Sequence, residues 1–162
     1  MMQKTLNEAE KKLAIFLARA RYQNARRRAK PDMKKGGQTN WETDLEGVGA
    51  EIAVCSLLNI YPDLETDLAE LPTYDCVTKT GLTIDVKATK YRNGRLIAAL
   101  WKKNVCDAYV LVIGEFPNYT IVGFLEGKEL LDQMRVDDLG HGPVFVADQD
   151  ELKNINTLAG AL

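Results

Sequence analysis

The stretch Tyr74-Asp75-Cys76-Val77-Thr78-Lys79-Thr80-Gly81-Leu82-Thr83-Ile84-Asp85-Val86-Lys87 decides how the rest of the chain is read. Residues 73–78 and 82–89 read as short strands, and Gly81 supplies the left-handed residue that a three-residue hairpin loop needs. With Lys79, Thr80 and Gly81 as the loop, Thr78 faces Leu82. Counting back sets Asp75 directly opposite Asp85, with Cβ atoms about 4.5–5.5 Å apart on one face. Lys87, two residues past Asp85, shares that face, while Ile84, Val86 and Ala88 turn towards a core. A two-residue loop would shift the register and send the aspartates to opposite faces, so the site depends on this one count.

Opposed carboxylates repel unless a proton, a cation or a metal lies between them. Two carboxylates suit Mg²⁺, which keeps waters available for chemistry, and Lys87 beside them can orient an attacking water or stabilise charge on a phosphate. A solvated strand face with an Asp–Lys pair is the plain alternative, because Asp-x-Lys arises often by chance in a chain that is 27% charged.

Asp44 reads as the N-cap of a helix running to about Asn59. On its wheel Leu45, Val48, Ile52, Cys55 and Leu58 form an apolar stripe, and Glu51 falls inside it. A buried carboxylate without a partner is costly, and a metal shared with Asp75 and Asp85 would remove that cost; a glutamate snorkelling at the stripe edge is the alternative. Glu46, about 140° away, is expected in solvent. Gly47, Gly49 and Ala50 thin the helix and let backbone or substrate come close.

Upstream, residues 5–30 read as a helix closed by Arg26, Arg27 and Arg28 and stopped by Pro31. The first 40 residues hold eleven Lys/Arg against three Asp/Glu, and the rest ten against twenty. That asymmetry predicts a basic N-terminal helix and linker, 1–40, on an acidic body, 41–162. A solvated terminal helix is the simpler account. Downstream, 108–114, 119–125 and 143–147 read as strands and 126–134 as a short helix. Residues 95–106 fit either a strand over 95–99 or a helix through Trp101, and 149–159 carry no clear pattern. Helices bracketing a strand cluster predict an α/β (α+β) domain, a central mixed sheet flanked by helices.

The 162 residues suit one packed core. Three scattered cysteines suggest neither a disulfide framework nor a zinc site, and a single histidine, His141, excludes most His-based chemistry. No stretch approaches the roughly 20 apolar residues of a membrane span and no signal peptide is read, so a cytoplasmic protein is expected.

Glu51 in GVGAEIAV, Asp75 in TYDCV and Asp85-Val86-Lys87 in IDVKAT together resemble the PD-(D/E)xK nuclease superfamily, which includes restriction endonucleases, Holliday junction resolvases and RecB-type exonucleases. The resemblance covers residues 41–125, with YVLVIGE and YTIVGF as further strands. The tail is similar to small phage and bacterial members, for which the host cytoplasm would be the location. Tyr74 stands where the family has its proline. The resemblance implies a restriction endonuclease-like core and a Mg²⁺-dependent deoxyribonuclease, with Mn²⁺ substituting. Glu51, Asp75, Asp85 and the Val86 carbonyl would hold metal, and Lys87 would be the catalytic lysine. DNA would be bound by Lys90, Arg92, Arg95, Lys102 and Lys103, with Arg19, Arg21 and Arg26 to Arg28 adding phosphate contacts. Tyr91 and Trp101 are stacking candidates. The N-terminal helix offers a surface for homodimer pairing. The alternatives are a catalytically silent nucleic-acid-binding or inhibitor protein on the same fold, and an interaction module using the acidic runs 63–70 and 132–138.

Overall fold

The computed structural model describes residues 1–27, 40–67, 74–100 and 105–159. In chain order the elements are β1 (Met2–Thr5), α1 (Glu8–Arg27), α2 (Asn40–Leu58), β2 (Cys76–Val77), β3 (Thr83–Thr89), β4 (Leu96–Ala99), β5 (Ala108–Glu115), β6 (Asn118–Glu126), α3 (Gly127–Leu130), β7 (Val136–Asp138), β8 (Pro143–Ala147) and α4 (Ile155–Ala159). A five-stranded mixed sheet runs β1-β6-β5-β3-β2, with β3 and β5 parallel and its other neighbours antiparallel. A second sheet runs β4-β8-β7.

Side-chain alternation along the central strands makes two cores. Ile84, Val110, Val112 and Ile121 face α1 and α2, where Leu17, Val54 and Leu58 cover them. Tyr109, Leu111 and Leu125 face the other way, onto Leu96 and Ala98 of β4, Phe145 of β8 and Leu130 of α3. The chain is therefore a mixed α+β structure, with helices over one face of the main sheet and mainly a second sheet over the other. That β layer differs from the expectation of helices on both sides. Its cause lies in Leu96-Ile97-Ala98-Ala99, which alternates buried and exposed as a half-buried strand does. Trp101, Lys102 and Lys103 lie outside the described residues.

The N-terminal segment belongs to this core. β1 pairs with β6, Met2 opposite Ile121. Asn7 and Glu10 cap α1 reciprocally, Asn7 Oδ1 accepting the Glu10 N–H at 2.9 Å and Glu10 Oε2 the Asn7 N–H at 2.7 Å. Glu10 Oε1 also accepts from Lys4 Nζ at 2.8 Å and Ser56 Oγ at 2.6 Å, joining β1, α1 and α2. Helix α2 begins upstream of the expected cap, so Asp44 lies within it.

Candidate functional site

The hairpin forms with the three-residue loop. Thr78 N–H donates to the Leu82 carbonyl at 2.8 Å and Gly81 N–H to the Thr78 carbonyl at 3.0 Å, while Gly81 takes φ +90°, the conformation that favours glycine. Thr78 Oγ1 accepts the Leu82 N–H at 2.9 Å and tightens the turn. Cys76 pairs with Ile84 and Val77 with Thr83, the expected register. The named pairing stops at Cys76. The Asp75 N–H donates to the Ile84 carbonyl at 2.8 Å, and Asp75 Oδ2 accepts the Val86 N–H at 2.6 Å. The carboxylate thus takes a backbone donor on the edge of β3. The expected register of the two aspartates is kept, and Asp75 gains a backbone partner next to Asp85. In a strand the N–H and C=O of a residue leave on the same side, so the Val86 carbonyl opens to that edge too.

Asp85 is 2% exposed. It pairs in register with Tyr109, on the face of the second sheet. Lys87 Nζ stands 2.6 Å from Asp85 Oδ1, as two residues' spacing along a strand allows. Asp-x-Lys is thus a buried carboxylate with a half-exposed ammonium partner.

Glu51 falls inside the stripe as its wheel position predicts, with its side chain 17% exposed. Its partner comes from α1: Arg21 Nη1 stands 3.0 Å from Glu51 Oε2. The same guanidinium donates to the carbonyls of Asp63 at 3.3 Å and Glu65 at 3.1 Å and lies 3.7 Å from the Asp63 carboxylate. Burial first, and the negative field of Asp75 second, push Glu51 up from 4.5 to about 8 even with Arg21 opposing them. Cys55 and Cys76 touch beneath this cluster. Their thiol–thiol hydrogen bond, then burial, push Cys76 up, so it stays protonated and offers no thiolate.

The structure brings the expected residues together in two groups: Glu51 within electrostatic reach of Asp75 on the helix side, and Asp85 with Lys87 on the sheet-covered side. Asp75 and Val86 form the seam. Among the described residues no three His, Cys, Asp or Glu side chains stand close enough to hold a metal ion. By donor type, carboxylates and a strand-edge carbonyl suit a hard divalent cation, and a cation would relieve the Glu51–Asp75 repulsion. By position, Arg21 places positive charge beside Glu51 and Lys87 places it beside Asp85.

Other expectations meet mixed outcomes. Glu46 is not solvated: its Oε2 accepts the Phe116 N–H at 2.8 Å, and burial raises its carboxyl although that hydrogen bond opposes the shift. The thin helix serves packing at Gly49, where an added Cβ would overlap the Tyr119 hydroxyl, while Gly47 has open space around it. Gly47 lines a cleft of about 260 Å³ with Arg21, Thr43 and Glu51. Arg95 pairs with Asp148 at 2.6 Å and Asp137 at 3.6 Å while 37% of its side chain stays exposed, and Arg21 is turned inward to Glu51. Lys90, Arg92, Arg26 and Arg27 are exposed, and Tyr91 is exposed beneath Lys90, 5.9 Å from its ring centre. Arg28 lies outside the described residues. The inward role of Arg21 was missed, although it sits at the centre of the stripe formed by Ala14, Leu17 and Ala18, all buried. Compared with protein-family models, curated proteins and solved structures, the chain matches none.

Proposed function

We propose that the chain is a divalent-metal-dependent nuclease of the restriction endonuclease-like kind, hydrolysing phosphodiester bonds in DNA. The observation that carries this reading is the hairpin, whose register sets Asp75 against the Val86 edge of the Asp85-Val86-Lys87 strand with Glu51 within its field. Glu51, Asp75, Asp85 and the Val86 carbonyl would hold Mg²⁺ or Mn²⁺, which when bound supplies charge neutralisation at the scissile phosphate and an acidified water. The chain's own residues do the rest. Lys87, anchored by Asp85, presents an ammonium that orients a nucleophile or stabilises negative charge on the phosphate. Arg21 fixes the Glu51 rotamer through their ion pair. The cleft beside Glu51 leaves room for approach.

The test is a cleavage panel of supercoiled, linear, single-stranded and branched DNA, with RNA, for the wild type and Asp85→Ala with Mg²⁺ or Mn²⁺. Cleavage that falls by 10²-fold or more in Asp85→Ala and stops with chelator is expected. Activity that persists in both would overturn the reading.

One observation favours a second reading, a catalytically silent nucleic-acid-binding protein. Arg21 and Lys87 already stand at ion-pair distance from Glu51 and Asp85, as in a site that has exchanged metal for internal ion pairs. Salt-sensitive DNA binding, with neither cleavage nor metal uptake by calorimetry, would select it.

A further inference from the structure

We infer that the outward face of α1 is a docking surface for the sugar–phosphate backbone of a nucleic acid strand. This rests on the nucleic-acid reading above but not on its chemistry. From Lys11 to Arg27 the helix holds six cations and no Asp or Glu. They divide by direction. Arg21 points inward to Glu51, and Lys11 pairs with Glu8 at 2.7 Å. Lys12, Arg19, Arg26 and Arg27 are exposed. At about 100° per residue these four and Phe16 fall within an arc of roughly 100°, one straight stripe.

Two of the guanidiniums stand over rings: Arg19 lies 5.8 Å from the centre of Trp41 and Arg26 4.9 Å from that of Tyr22. Such contacts hold the cations at the surface without neutralising them. Phe16 is 63% exposed in the middle of the stripe, an aromatic face among cations. Lys12 to Arg27 spans about 22 Å at 1.5 Å per residue, the length of about six or seven phosphates of one strand. A membrane surface fits less well, since it calls for a broad apolar face and this stripe carries a single large apolar side chain. The stripe lies on the side of α1 opposite Arg21, which lines the cleft beside Glu51, so the two use different faces of one helix.

The experiment measures binding of fluorescent single-stranded and duplex 30-mers to the full chain in chelator, where no metal-dependent cleavage intervenes. The quadruple variant Lys12→Gln, Arg19→Gln, Arg26→Gln, Arg27→Gln should bind at least one oligonucleotide about 10²-fold more weakly at 0.1 M salt. Its log-log salt slope should be flatter by about 3. The double variant Arg19→Gln, Arg26→Gln should lose more than a charge-matched control, Lys79→Gln, Lys128→Gln, and circular dichroism should show all variants folded. Equal losses in variant and control, unchanged binding to both oligonucleotides, or tighter binding to phosphatidylserine vesicles or polyglutamate than to either oligonucleotide would overturn the assignment. Stripe-dependent binding without cleavage would sink the nuclease reading alone; cleavage with stripe-independent binding would sink this inference alone.

Discussion

Glu51 and Glu126 each stand within hydrogen-bonding reach of a cation, yet their carboxyls shift in opposite directions. Glu126 lies 2.9 Å from Lys128 and 3.0 Å from Lys153 in open solvent, and those lysines hold it below its ordinary value. Glu51 lies 3.0 Å from Arg21, and burial with Asp75 still carries it up to about 8. A cation at 3 Å does not decide whether a carboxylate is comfortable; the water removed and the charge beyond the pair do. The surface pair would exist without function. The buried one sits where the fold disfavours its charged form, a perturbation that functional sites and structural ion-pair networks share.

The comparison breaks most readily at Arg21. Arg21→Ala should destabilise the protein by about 3–5 kcal/mol at pH 9, because it removes both the counter-ion of Glu51 and the donors to the Asp63 and Glu65 carbonyls. The counter-ion part amounts to about 1–2 kcal/mol, since Glu51 can take up a proton instead. At pH 5, where Glu51 carries its proton, the loss should be smaller. Urea unfolding at the two pH values measures both, and equal losses would show that Arg21 acts only through its bonds to the Asp63 and Glu65 carbonyls.

A second test sharpens the sign. A carboxyl raised in the folded state binds its proton more tightly there than when unfolded, so its contribution is complete at low pH and falls as pH climbs from 4.5 to about 8. At about 1.36 kcal/mol per pKa unit, the ceiling on that fall is about 5 kcal/mol. Glu51→Gln should remove this part of the slope and be the more stable protein above pH 8; a slope identical to the wild type would locate the titration elsewhere. The smallest effect belongs to the exposed cluster. Lys153→Gln, which removes the bridge between Glu126 and Glu129, should lower stability by at most about 1 kcal/mol at 0.15 M salt, measured by urea unfolding, because water and salt screen such pairs.

How much of this was legible varied with the range of the interaction. The hairpin loop was readable because Gly81 is a local signal, and the wheel put Glu51 among buried residues because helical periodicity is local too. β1 escaped because Met2-Gln3-Lys4-Thr5 is polar and becomes a strand only by pairing with Thr120 and its neighbours, more than a hundred residues away. The second sheet escaped because β4 takes β8 as its partner rather than β3, a choice that no local pattern in Leu96–Ala99 encodes. The opposed register of the aspartates was readable from the loop count, whereas the hydrogen bond from the Val86 N–H to Asp75 was not, because a side-chain-to-backbone contact leaves no periodic signal. Glu46 was read as solvated because a wheel shows one helix and not the Phe116 backbone that reaches it.

The rims of the main sheet are brief. β2 contributes two residues and β1 four, one of them Lys4. The long β6 ribbon of Asn118–Glu126 is thereby closed off by a short, partly polar partner on one side and by β5 on the other. A foreign strand would meet a short strand at β1, with Lys4 held by Glu10, and at the other rim a β3 that β2 covers only at Thr83 and Ile84. The β1 rim therefore offers an approaching chain four residues of strand, while the wider run of open strand backbone lies along β3, beside the Asp75–Val86 hydrogen bond.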